Sequence, residues 1–344
     1  MNAPQHPAGR LRAYLLFVAA LLYYFVARSL AHRAALGLAG EAWLPLVEQA
    51  MLVFLLLIGY GAMGFWIDRQ LDPIQEQGLP RRNGWPREAG LGFAVGWAVT
   101  VVCLLPIAIA GGIAVSFTIS PSSWGWLLAD AAFFALLALA EEIAFRGYAF
   151  QSFVRAVGPL GATLGFAAIY AIVQRVLPGS STASTAVALV FSILLSSAYL
   201  RTRALWVSWG INFGWKASQA LIFGLAVEGI STHSPIVQGD PMGPFWLTGG
   251  DFGLDGSWLA FFVMLAALPV VFRITRDLDY RYNAPVIVPG GIPVDLEAAA
   301  RAQHHAAMGS AAPPAPQFVQ IDPASSSDST SHSGSASQRA AGGS

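Results

Sequence analysis

The sequence predicts an all-α fold: a polytopic membrane helical bundle of about eight transmembrane helices. Three observations predict it. First, 55% of the 344 residues are hydrophobic and 11% charged, with a mean hydropathy of +0.56. A soluble domain carries roughly 25% charged residues, so a chain of this length could not cover a water-facing surface. Second, eight stretches each supply about 20 mostly apolar residues, enough to cross the hydrocarbon layer at about 1.5 Å per residue. Third, the arginines are sorted between alternate loops. The 19 basic and 19 acidic residues balance to zero, which excludes the basic excess of a nucleic-acid binder. The single cysteine, Cys103, excludes an intrachain disulfide framework and thiolate zinc sites.

The stretches run 12–30, 43–66, 89–117, 122–146, 158–177, 184–200, 203–227 and 257–275. Arg10 and Arg12 precede the first, which could be read as a signal peptide. Its aromatic content (Tyr14, Phe17, Tyr23, Tyr24, Phe25) and lack of an A-x-A site favour an uncleaved anchor. Eight spans with both termini cytoplasmic put thirteen arginines inside, among them Arg10, Arg12, Arg155 and Arg201. Only Arg28, Arg33 and Arg175 then lie outside, the expected bias for cytoplasmic loops. The 228–256 loop has no Lys or Arg and carries Glu228, Asp240, Asp251 and Asp255, as an exported loop can. Residues 1–121 thus read as N-terminal membrane helices, 122–275 as a second membrane domain, and 276–344 as a cytoplasmic tail. From about residue 283 the tail is rich in Ala, Pro, Gly, Ser and Gln and is expected to be disordered. His304 and His305 fall in this solvated stretch rather than in a metal site.

Charges inside the membrane mark the candidate site. Trp124 to Phe145 contains Asp130, Glu141 and Glu142. A centrally placed acid costs about 2.5–3.5 kcal/mol for insertion, against about 0.3–0.6 returned by each Leu, Ile or Phe. Such acids face other helices or a wet cavity, and are functional candidates or parts of a buried ion network. Glu142 and Arg146 stand at i and i+4, in the favourable acid-first order. At about 100° per residue, Glu141 points away from that pair, toward a cavity. Asp130, eleven residues earlier, lies almost on the face of Glu141, about 16 Å along the axis by the same helical geometry.

The seventh stretch carries a polar stripe, Ser208, Asn212, Lys216 and Gln219, at helical spacing. Lys216 is the chain's only lysine, and in mid-span it needs a counter-charge, with Glu141 or Glu142 at hand. Gly210 and Gly214 form a GxxxG, as do Gly92 and Gly96, a pattern that permits close helix approach. Tyr170 and Gln174 make a lesser polar pair in the fifth stretch.

These residues carry a resemblance. AEEIAFRG at 140–147 is similar to the EExxxR motif of the CPBP family, the CAAX-protease and bacteriocin-processing membrane proteins. Phe166 matches the first position of the family's FxxxH. LRTRALWVSWGINFGWK at 200–216 resembles its RT-x-SLW…GLHFxWN segment, and GPFWLTGGDFGLDGS at 243–257 resembles a segment of bacterial members. The resemblance covers about residues 122–275. It implies an intramembrane endopeptidase acting on membrane-proximal or lipidated peptides, with Glu141 as general base and Glu142 and Arg146 as its supporting pair.

The sequence departs from the family pattern at three positions. The FxxxH histidine falls on Tyr170, the HxxxN histidine on Asn212 and its asparagine on Lys216. In the family these groups bind a divalent metal such as zinc or polarise the scissile carbonyl. Here the cofactor stays open, because tyrosine and asparagine are not the imidazole, thiolate or carboxylate that zinc prefers. A Glu141–Lys216 contact would neutralise the site without a metal, with Lys216 as electrophile and Tyr170 as donor. Two functions stay open: a CAAX-protease-like endopeptidase, and an inactive relative that binds peptides or partner helices. The expected surroundings are the lipid bilayer, of a bacterial plasma membrane as the short loops and the 243–257 segment suggest, and a membrane-bound or prenylated peptide. A transporter would rest on the intramembrane charges alone, and no inverted repeat accompanies them.

Overall fold

A computed structural model describes residues 7–282 other than 235. The expected disorder beyond 283, with His304 and His305, lies outside the described residues. The protein is an all-α membrane bundle. The helices are α1 Pro7–Leu38, α2 Leu44–Ala62, the single turn α3 Pro73–Glu76, α4 Trp85–Ile109, α5 Pro121–Arg146 and α6 Tyr148–Arg175. They continue with α7 Thr182–Thr202, α8 Leu205–Ala217, the short α9 Phe245–Thr248, α10 Trp258–Ile274 and α11 Arg276–Tyr282. Strands β1 Ile113–Phe117 and β2 Val237–Pro241 pair antiparallel, Ile113 opposite Pro241. Five stretches among the described residues are long and apolar enough to cross a membrane, and one of them, Pro121–Arg175, holds both α5 and α6. α10 is a shorter apolar helix.

Local chemistry sets the breaks. Between α5 and α6 the backbone of Gly147 is non-helical, and inside α6 Gly158 (φ +84) ahead of Pro159 kinks the helix where the span was expected to begin. Ser181 and Ser184 close a reciprocal capping box at the start of α7, satisfying backbone donors that a helix end otherwise leaves open. Ser257 caps α10 by accepting from the amides of Leu259 and Ala260.

Two expected spans are corrected. The stretch 89–117 is not helical throughout, since α4 ends at Ile109 and 113–117 is strand β1. Pro106 lacks an amide donor in the last turn, and Gly111, at φ +70, takes a conformation open to glycine. Ile113, Val115 and Phe117 then suit an extended chain. In 203–227, helical winding stops at Ile222 after a π turn. Beyond it Gly224 (φ +66) packs against the backbone of Val237 to Gly239, and residues 223–230 turn back over the bundle.

The tightest packing joins α4 to α8. A Cβ at Gly92 would collide with the carbonyl oxygen of Val207, one at Gly96 with that of Ile211, one at Gly210 with that of Ala89 and one at Gly214 with that of Phe93. The two GxxxG motifs therefore face each other, and the contact holds the polar stripe of α8 at a set depth. Thr100 reinforces it, its hydroxyl 3.4 Å from the carbonyl of Trp215.

Asp130 belongs to a different structure from Glu141. Its carboxylate accepts the amides of His233 (2.9 Å) and Ser234 (2.8 Å) and lies 3.0 Å from His233 Nδ1. It anchors the loop that follows the 227–230 turn, and does not join the other two acids in a network. Hydrogen bonds to a charged group contribute about 1.5–3 kcal/mol. Asp130→Asn, which removes the charge and keeps a single acceptor oxygen, is expected to cost about that much in thermal unfolding and to speed protease cleavage within 228–236. Unchanged melting and cleavage would remove the anchor.

Candidate active site

The site is built where α5, α6 and α8 meet the 227–230 turn. α5 sends Glu142 and Arg146 into the protein, each with a fully buried side chain. The guanidinium donates to Glu142 Oε1 (3.2 Å), to the carbonyl of Ser192 (3.3 Å) and to its hydroxyl (3.1 Å), tying α5 to α7. It also lies over the Tyr170 ring, 5.9 Å from the centroid.

Glu141 emerges on the adjoining face, its side chain 14% exposed. Asn212 Nδ2 donates to Glu141 Oε2 (2.9 Å) and to Glu142 Oε1 (3.2 Å), so one amide bridges the two acids. Four residues along α8, the buried ammonium of Lys216 stands 3.2 Å from Glu141 Oε1. Its other anion is Glu228, whose Oε1 lies 2.5 Å away. The Tyr170 hydroxyl donates to the same oxygen at 3.4 Å and accepts from Gln174 Nε2 at 3.2 Å. Below, the Trp215 indole and Gln219 donate to Asp255, and Gln219 accepts the amide of Leu254 (3.0 Å), fixing the lower end of α8.

All six expected residues, Glu141, Glu142, Arg146, Tyr170, Asn212 and Lys216, thus come together. Phe166 packs behind them, fully buried, its ring edge-on to Phe150. His32 and His233 pair with Glu48 and Asp130, and neither lines the cavity described below.

Glu228 was expected in an exported loop; the structure brings it into the site. Val227 and Ile230 pair through both backbone hydrogen bonds, and the two residues between them have positive φ, +53 at Glu228 and +80 at Gly229. A primed two-residue hairpin turn has this backbone, which favours glycine at the second position. The Glu-Gly dipeptide is a faint sequence signal of that turn. Left-handed backbone at a bulky non-glycine residue costs free energy and persists where surrounding contacts over-determine it; the Lys216 and Tyr170 contacts are such partners.

A cavity of about 340 Å³ opens above Glu141. Phe133, Leu137, Phe145 and Val173 form apolar wall, while Tyr170, Gln174 and Glu228 are polar. Two further polar groups line it: Arg28 of α1, read from the sequence only as an outer arginine and here donating to the Tyr24 hydroxyl (3.0 Å), and Gln49 of α2, which the sequence did not single out. Gln174 Oε1 is buried without a hydrogen-bond partner among the described residues.

The donor set does not fit a divalent metal. Among the described residues no three His, Cys, Asp or Glu side chains converge as ligands. Glu141 and Glu228 instead flank an ammonium, whose charge would repel a cation placed between them. The arrangement is a carboxylate–ammonium–carboxylate bridge with a hydroxyl at one end, set beside a partly apolar cavity.

Residues 122–218 match the family Rce1-like, described as type II CAAX prenyl endopeptidase Rce1-like. The match spans α5 to the start of the π turn and includes all six expected residues, but neither Glu228 nor the α1 and α2 walls of the cavity. No curated protein and no solved structure matches the chain.

Proposed function

We propose, for a membrane bundle whose residues 122–218 match the Rce1-like CAAX prenyl endopeptidase family, that the chain hydrolyses peptide bonds of membrane-borne polypeptides at Glu141 without a metal. The observation that supports this reading most is that Glu141 is the motif acid whose carboxylate reaches the cavity, while Glu142 is fully buried against Arg146. A water between Glu141 and the scissile carbonyl gives its proton to the carboxylate as its oxygen attacks the carbon. The resulting oxyanion develops beside the Lys216 ammonium and within reach of the Tyr170 hydroxyl, donors placed before the charge forms. The tetrahedral intermediate then expels the amine, which takes the proton back from Glu141. The Glu142–Arg146 pair keeps α5 locked to α7, and Asn212 aims the working carboxylate.

One observation favours a second reading, peptide binding without turnover. Asn212 and Lys216 already engage both oxygens of Glu141, which leaves the carboxylate a weak base. Purified full-length protein in liposomes, offered a library of membrane-anchored peptides, separates the two. For the hydrolytic reading, Glu141→Gln is expected to lower kcat by about 10²–10⁴-fold with little change in binding. Saturable binding without product, unaffected by the variant, would establish the second reading.

A further inference from the structure

The two ends of the bundle differ in charge, and the cavity opens at one of them. Arginines from separate segments meet at one end. Arg12 and Arg155 both approach Asp68 just past α2, at 3.5 and 2.7 Å. Arg82, before α4, donates to the carbonyl of Thr202 at the end of α7 (3.0 Å). Arg201 pairs with Asp279 of α11 (3.2 Å), and Gln151 links Glu76 to Tyr199 at the same end. The opposite end carries the β1–β2 ribbon, the 227–230 turn and the Asp130 anchor. Toward this end the described segments contribute three basic residues, Arg28 on the cavity wall, Arg33 and Arg175.

Along each wall the lining residues climb toward the ribbon end. On α6 they are Tyr170, Val173 and Gln174, in its last two turns, followed by Leu177 two residues beyond its end; on α2 they are Gln49 and Leu52, in its first half. Phe145 and Glu141 form the floor, while Leu177, Pro178, Gly229 and Ile230 form the rim. From Phe145 to Phe133, α5 spans about 18 Å at 1.5 Å per residue, so the floor lies well inside the bundle.

Basic residues concentrate in cytoplasmic loops because Lys and Arg bias the orientation of short loops during insertion. We propose that the cavity is loaded from the non-cytoplasmic face of the membrane, and that its substrate is a polypeptide segment already exported to that side. A lipidated terminus confined to the cytoplasm would have to cross the bilayer to reach the rim. This deepens the peptide-cleaving reading by naming where the peptide lies, and rests on that reading only for the word substrate.

Cysteine labelling in intact cells expressing the full chain tests the proposal independently of turnover. The native Cys103 is buried. Single cysteines would be placed at Ile230 on the rim, at Met242 on the ribbon (70% exposed) and at Leu71 at the arginine end (90% exposed). A membrane-impermeant maleimide is expected to label Met242→Cys and Ile230→Cys at least tenfold more than Leu71→Cys, which reacts only after permeabilisation. Val173→Cys, inside the cavity, is expected to react from the same side with a small charged methanethiosulfonate. The reverse pattern, or equal labelling of both ends in intact cells, would overturn the proposal. So would rim and cavity cysteines that react only after permeabilisation. The Glu141→Gln assay uses liposomes holding protein in both orientations, so its failure would leave this result standing.

Discussion

Replacing Lys216 with methionine is expected to destabilise the folded protein by about 3–5 kcal/mol, the range seen when one partner of a buried ion pair is removed. The side chain is fully buried, and its ammonium bridges two acids, Glu141 at 3.2 Å and Glu228 at 2.5 Å, that are 14% and 9% exposed. Methionine preserves most of the volume, so the loss comes from two carboxylates left facing each other in a weakly polar interior. The same reasoning gives the control. Lys216→Met combined with Glu228→Gln removes one negative charge together with the positive one, and is expected to recover more than half of the lost stability. Thermal unfolding of the purified protein in detergent measures both. A double variant no more stable than the single one would show that ion pairing is not what Lys216 contributes. Turnover is expected to be lost in both, because the cation beside the developing oxyanion is gone.

The second large effect is expected at Gly210. Gly210→Val puts side-chain atoms where the carbonyl oxygen of Ala89 and the backbone of Gly92 and Phe93 already stand. Overpacking a core costs about 1–3 kcal/mol when side chains can adjust. Here the obstacle is backbone, so α4 and α8 must move apart, and the loss is expected at or above the top of that range. Separation would also withdraw Asn212 and Lys216, which lie two and six residues further along α8, from Glu141. Gly210→Val should therefore lower activity together with melting temperature. By contrast Gly90→Ala, on the same α4 helix but with open space around the new Cβ, should change neither. A stable, fully active Gly210→Val would mean that the glycine crossing does not hold the site.

How much was legible in the sequence depended on how far apart the partners lie. Glu142 and Arg146 are four residues apart on one helix, and helical geometry alone brings them together. The facing of Lys216 and Glu141 could be anticipated because a lone lysine within the membrane needs an anion and few were available. Glu228 could not. It follows the end of the helical segment by a few residues, and reads as one acid among several in a polar loop. Only the positive-φ turn and the path of residues 223–227 carry it back over the bundle. The β1–β2 ribbon was hidden for a related reason. Residues 113–117 are apolar enough to extend a span, and their strand partners lie 120 to 128 residues later. Asp130, which shares a helical face with Glu141, was drawn away by the backbone amides of the loop around His233.

The sequence by itself determined that this is a membrane-borne helical bundle, with one arginine-rich end and a motif helix bearing two acids and their arginine. It also determined the polar stripe on α8. Those properties follow from composition, from spans of about 20 apolar residues and from contacts one turn apart, which depend on the local chain alone. Only the tertiary structure decided which acids share Lys216, that two GxxxG faces meet, and at which end the cavity over Glu141 opens. Each of these joins segments brought together by packing, and neither periodicity nor spacing along one helix specifies which distant residues will meet.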